Sequence, residues 1–175
     1  MNPPPPWLMQ AFGKLPGTMQ QRASAILAKI MKDMYLPALA TLPVAWILAY
    51  VPHFTKVGVM LHLQGPSRYN NLTPRTTDPS KFGDAAALIK RCIGCHENSL
   101  ESFPVFAIAV LACKMQKVKP PLAVARLCLR YLAMRVAYTA AYLSGSNNAV
   151  GALRTMAWAG SFHSVWQLFA LALGQ

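Results

Sequence analysis

The sequence predicts an all-α integral membrane protein, a four-helix bundle over residues 34–175 preceded by an N-terminal amphipathic extension over residues 1–33. Three observations carry that expectation. Of the 175 residues, 54% are hydrophobic and only 13% charged, an apolar share above that of ordinary soluble domains. Met34 to Thr55 and Thr155 to Gln175 carry no formal charge, and each is long enough to cross a hydrocarbon core about 30 Å thick. Two further apolar stretches lie between them, separated by turn signals at Gly65-Pro66, Pro120-Pro121 and Gly145.

The elements follow in order. Residues 1–33 open on Pro3 to Pro6, and Lys14 to Lys32 is basic, free of acids and loosely amphipathic. That is the character of a mitochondrial presequence or of a helix lying on a membrane surface. The first span, Met34 to Thr55, contains Pro37, Pro43 and Pro52, each of which removes a helical hydrogen bond. Pro52 is expected near its end. Gln64 to Phe82 reads as a polar loop, with Asp78 and Ser80 as capping candidates. A second helix is expected from about Asp84 to Lys117. Only Ser102 to Cys113 is free of charge, so it spans a bilayer only if Glu97, Asn98 and Glu101 face protein. Pro120 and Pro121 suit the first turn of a third helix, which continues through Arg126, Arg130 and Arg135 to about Ser144. Gly145 to Gly151 is expected to turn the chain into the last span.

A formal charge of +12, from 17 Lys and Arg against 5 Asp and Glu, suits anionic headgroups; the apolar stretches favour lipid over nucleic acid as the partner. Cys92, Cys95, Cys113 and Cys128 are expected to be reduced and mostly buried, since the chain is long and the last two sit in apolar segments. Cys92-Ile-Gly-Cys95-His96 matches the attachment motif of c-type haem. It runs without a turn signal into a helix, so covalent haem is not expected. No structural metal is expected either, because a tetrahedral zinc site needs a second Cys/His pair nearby. His53, His62 and His163 read as packed or interfacial side chains.

At helical spacing, Arg91, Cys95, Asn98 and Glu101 or Ser102 share a face of the second helix, and Tyr131, Arg135, Tyr138 and Tyr142 form a stripe on the third. Charged groups at membrane depth pair across helices, so an ion pair between Glu101 and Arg135 is expected. The same residues could instead line a pocket for an anionic ligand, with Arg as the clamp and Tyr hydroxyls as donors.

The run from Arg91 to Phe106, with Asn98, Glu101 and Pro104, resembles the second-helix signature of the MAPEG family, the membrane-associated proteins in eicosanoid and glutathione metabolism. Arg135, Tyr138 and Tyr142, followed by Arg154 and Trp158, resemble that family's third helix and the start of its fourth. Asn71-Leu-Thr-Pro74-Arg75 is similar to a loop motif of a bacterial branch. The resemblance implies a homotrimer of four-helix subunits with glutathione held between neighbours. Asn98, Glu101, Arg135, Tyr138 and Tyr142 would then contact glutathione, and Arg154 would be the catalytic residue that stabilises its thiolate.

Three departures bear on activity. Gly94 stands where catalytic members of the family usually carry arginine, Ser102 stands where a tyrosine often follows the glutamate, and the turn between Tyr142 and Arg154 looks long. Two functions follow. One is a non-catalytic accessory subunit of a larger membrane complex, with membrane lipids and other subunits as partners and no cofactor, placed in the mitochondrial inner membrane or else the endoplasmic reticulum. The other is a glutathione-dependent transferase or peroxidase acting on lipophilic substrates.

Overall fold

The computed structural model describes residues 17–19, 21, 22, 25, 35–70, 72, 77–145 and 147–174. Most of the N-terminal extension and the loop residues Asn71, Pro74 and Arg75 lie outside the described residues. Helix α1 spans Leu36–Gln64, α2 Ala86–Met115, α3 Pro121–Ser144 and α4 Asn148–Ala172. Short 3-10 turns occupy Pro66–Arg68 and Pro79–Ala85. Among the described residues there is no strand.

Sequence chemistry accounts for the ends. Pro37 sits in the first turn of α1, where its missing N–H costs nothing, and α1 continues through Pro43 and Pro52 to Gln64. The first helix is therefore longer than its charge-free stretch, and Pro52 is interior and not terminal as expected. Lys56 lies beyond the charge-free stretch yet inside the helix, only 8% exposed. Asp78 caps the turn before α2, accepting from the Ser80 amide at 2.9 Å and from its hydroxyl at 2.6 Å. These bonds hold the Asp78 carboxyl below its ordinary range, so the cap is fully formed above that range and lost as pH falls through the lowered value. Asn147 caps α4 by accepting from the Val150 amide at 3.0 Å. The fourth helix thus begins at Asn148, and the second half of the stretch expected to be turn, residues 148–151, is its first turn.

The buried residues of α1 include Ala38, Thr41, Ala45, Ala49, Pro52 and Lys56, a stripe of mostly small side chains at helical spacing that lets α2 approach closely. The main core joins all four helices through Ala38, Ala45, Phe106, Val110, Cys113, Val124, Cys128, Tyr131 and Leu168. Phe106 and Tyr131 stack with centroids 3.8 Å apart and planes 7° from parallel. Cys113 closes α2 on α4, its thiol 3.1 Å from the Leu168 carbonyl.

The outside is apolar. Ile47, Phe54, Ile108, Met156, Phe162 and Trp166 are each more than half exposed, while Arg135, Ser99, Thr139 and Ser164 are buried. A soluble bundle reverses that distribution, whereas lipid solvates exposed Ile and Trp and leaves polar groups to pair between helices. Two helical segments, Leu36–Gln64 and Pro79–Met115, are long and apolar enough to cross a membrane, and only 28% of each apolar window is buried in the protein. The chain is an all-helical integral membrane protein.

Candidate functional site

The polar residues that sequence reasoning singled out fall into three places. Arg135 is sealed at the centre, 3% exposed, and donates from Nη2 to the Ser99 hydroxyl at 2.7 Å. Its guanidinium carbon lies 4.2 Å from the centroid of the Tyr138 ring, and Nη1 has no partner among the described residues. Ser99 in turn donates to the Cys95 carbonyl at 2.7 Å. Cys95, Tyr138 and Ala157 form a small core there, with Tyr142 packed against it.

Asn98 and Glu101 stand on another face of α2. They line a cavity of about 200 Å³ between α2 and α4, with Ser102, Tyr131, Trp158 and Phe162. Glu101 is exposed. The expected ion pair with Arg135 is therefore not formed, and the partner of Arg135 is a hydroxyl. The reason is angular: successive helical residues differ by about 100°, so the buried face of α2 runs through Cys92, Cys95 and Ser99 and turns Glu101 outward. Ser102 and the Tyr131 hydroxyl sit 3.2 Å apart, so the short serine at this position is bonded to the third helix.

Arg154 lies in the third place. Its guanidinium carbon is 4.6 Å from the centroid of the Tyr142 ring, and it lines an opening of about 620 Å³ with Arg91, Asn147, Asn148 and Thr155. The turn that looks long in the sequence is short in the structure, because α4 already starts at Asn148. Arg91 donates from Nε to the Leu143 carbonyl at 3.1 Å, placing its charge at the carboxyl end of α3, where the helix dipole favours a cation. A side chain at Gly145 would put its Cβ 2.5 Å from Arg91 Cδ, so that glycine admits the arginine.

Gly94 shows why the missing arginine is not simply restored. A Cβ there would lie 2.7 Å from the Tyr142 hydroxyl oxygen. Gly94→Ala is expected to lower thermal stability by about 1–3 kcal/mol through overpacking, and Tyr142→Phe, which removes the clashing oxygen, is expected to restore most of the loss. An alanine variant as stable as the parent contradicts this packing.

Within one chain, then, the residues expected to hold glutathione do not converge on one opening. Asn98 and Glu101 face one cavity, Arg154 another, and Arg135 and Tyr138 line neither.

A further cavity escaped sequence reasoning. Between α1 and α2, Tyr50, His53, Lys56, Cys92, His96 and Glu97 border about 290 Å³. The lysine was masked because it follows the charge-free stretch and shares no motif. His96 Nδ1 is 2.8 Å from the Ala49 carbonyl, and Cys92 and Cys95 are fully buried, so the haem-like motif is spent on packing α2 against its neighbours. Purified protein is expected to show no pyridine haemochrome spectrum, and a stoichiometric signal assigned to Cys92 and Cys95 contradicts this placement. Among the described residues no group of three His, Cys, Asp or Glu converges as a metal site.

No curated protein and no solved structure matches the sequence. The model of the MAPEG family matches residues 34–174, nearly the whole chain beyond the extension. With the ordered Asn98, Glu101, Arg135 and Arg154 positions on four packed helices, that match shows that the chain belongs to the MAPEG family.

Proposed function

We propose that this protein crosses the bilayer four times and acts as a non-catalytic accessory subunit of a larger membrane complex. The observation that carries the reading is the use made of the residues resembling the glutathione clamp. Tyr142 fills the space over Gly94, and Arg135 is sealed against Ser99 and Tyr138, so two groups that should be presented to a ligand hold helices together instead. The large apolar side chains on the outside, such as Ile47, Phe54 and Trp166, supply surface for lipid and for neighbouring subunits. The basic, acid-free stretch from Lys14 to Lys32 favours the mitochondrial inner membrane as the location, with the endoplasmic reticulum as the alternative.

Native mass spectrometry of the protein gently extracted from its own membrane tests this. The expected particle contains unlike chains. A homotrimer free of other proteins overturns it.

One observation favours a second reading, a glutathione-dependent transferase or peroxidase assembled as a homotrimer. Glu101 is exposed, and Arg91 and Arg154 share an open recess, so these groups are available to a pocket completed by another copy. In that case Arg154 would favour the bound thiolate and Arg91 would replace the cation missing at Gly94.

A further inference from the structure

A groove between α3 and α4 lies away from the polar cluster. It is lined by Ala123, Arg126, Leu127, Gln167, Ala170 and Leu171 and encloses about 430 Å³. Leu171 also borders the recess between Gln116 to Lys119 and the end of α4, so the two openings meet there. Arg126 and Arg130 are exposed on successive turns of α3, and Arg130 Nη1 donates to Gln167 Oε1 across the groove at 3.3 Å.

Basic side chains predominate at this end among the described residues. From Ser102 to Gln175 the sequence contains no Asp or Glu, while Lys114, Lys117, Lys119, Arg126 and Arg130 all fall at the junction of α2 and α3 or on the first turns of α3. The nearest acid along α2 is Glu101, which at 1.5 Å per residue is about 20 Å from that helix end. Leu122 and Leu129, beside the arginines, are 59% and 60% exposed. Arg126 and Arg130, set among exposed leucines and in no ion pair among the described residues, take their counter-charge from outside the bundle.

Depth narrows the donor of that charge. Arg126 lies five residues past Pro121 and Arg130 nine, which is about 7 Å and 13 Å below the start of α3. Their side chains lean toward the amino end of the helix, which lifts both guanidinium groups toward headgroup level. We propose that this groove binds an anionic glycerophospholipid, its phosphate held by Arg126 and Arg130 and an acyl chain laid along Leu127, Ala170 and Leu171. The inference rests on the reading that α3 and α4 cross the bilayer.

The test uses the full chain in nanodiscs of phosphatidylcholine in which phosphatidylglycerol replaces part of the lipid, with retained lipids counted by native mass spectrometry. Phosphatidylglycerol is expected to be retained about tenfold over phosphatidylcholine, given what adjacent basic residues contribute at an anionic surface. Arg126→Gln with Arg130→Gln is expected to bring the ratio close to parity, and Lys114→Gln with Lys117→Gln to leave most of it. If the arginine pair does not fold, Arg126→Gln alone is expected to cut the ratio by about threefold. Equal retention of the two lipids, equal loss in both pairs of variants, or full displacement by excess inorganic phosphate overturns the proposal. Membrane-impermeant thiol labelling of single cysteines, Lys117→Cys and Asn148→Cys, in sealed vesicles separates the two failures. Labelling of both from the same side overturns the reading that α3 crosses the bilayer, whereas opposite sides without lipid preference overturn the groove alone.

Discussion

Phe106→Ala is expected to cost about 3–5 kcal/mol of stability, the range for removing a large aromatic from a packed core. Phe106 is 0% exposed and stacks on Tyr131 at the contact between α2 and α3. The same ring belongs to the cluster that reaches Ala38 on α1 and Leu168 on α4, so one truncation loosens all four helices. Lipid offers no hydrophobic drive between helices, which makes close packing of this kind a main source of cohesion. The tyrosine is tied by its hydroxyl to Ser102 and has no free path into the space left behind. Unfolding of the detergent-solubilised variant measures the loss. A change below about 1 kcal/mol, the size of an average surface substitution, contradicts the core as described.

Ser99→Ala and Arg135→Met are expected to act in opposite directions. Removing the hydroxyl leaves Arg135 with a second buried donor unsatisfied, at a cost of about 1–3 kcal/mol. Replacing the arginine with methionine removes a buried cation whose partners are a hydroxyl and the Tyr138 ring, and such replacements are commonly neutral or stabilising by about 1–4 kcal/mol. The expected pair of results is a destabilised Ser99→Ala and an Arg135→Met at least as stable as the parent. Both are read by thermal unfolding in the same detergent. An Arg135→Met that unfolds as readily as Ser99→Ala shows that an anion, from a ligand or a second chain, meets Arg135 in the folded protein.

The helices were legible in the sequence because charge-free length and proline placement are local properties. The stretches from Met34 and from Pro120 predict α1 and α3 closely at their starts. Ends set by tertiary contact were less legible. α1 continues past Lys56, which borders a cavity against α2, and no property of residues 50–60 taken alone announces that. The start of α4 was hidden because Asn147 is both a turn residue and a helix cap, and only its bond to Val150 decides. The candidate site was half legible. Spacing put Arg135, Tyr138 and Tyr142 on one stripe, but the contact of Arg154 with the Tyr142 ring depends on where α4 starts and was not legible. Spacing did not distinguish Ser99 from Glu101 as the partner of Arg135, because α2 carries polar residues on most sides from His96 to Ser102 and its own periodicity does not say which side faces α3.

The central claim is that the residues resembling a glutathione clamp serve packing here. Glutathione is anionic and polar, so binding at membrane depth needs fixed cations and donors to offset lost hydration. The lost cation at Gly94 and the shortened donor at Ser102 could each cost on the order of 2 kcal/mol, roughly thirtyfold in affinity apiece. Isothermal calorimetry of the detergent-solubilised protein with glutathione tests the claim directly. The account predicts no saturable heat at concentrations below about millimolar; low-micromolar binding that Arg154→Ala abolishes would contradict it.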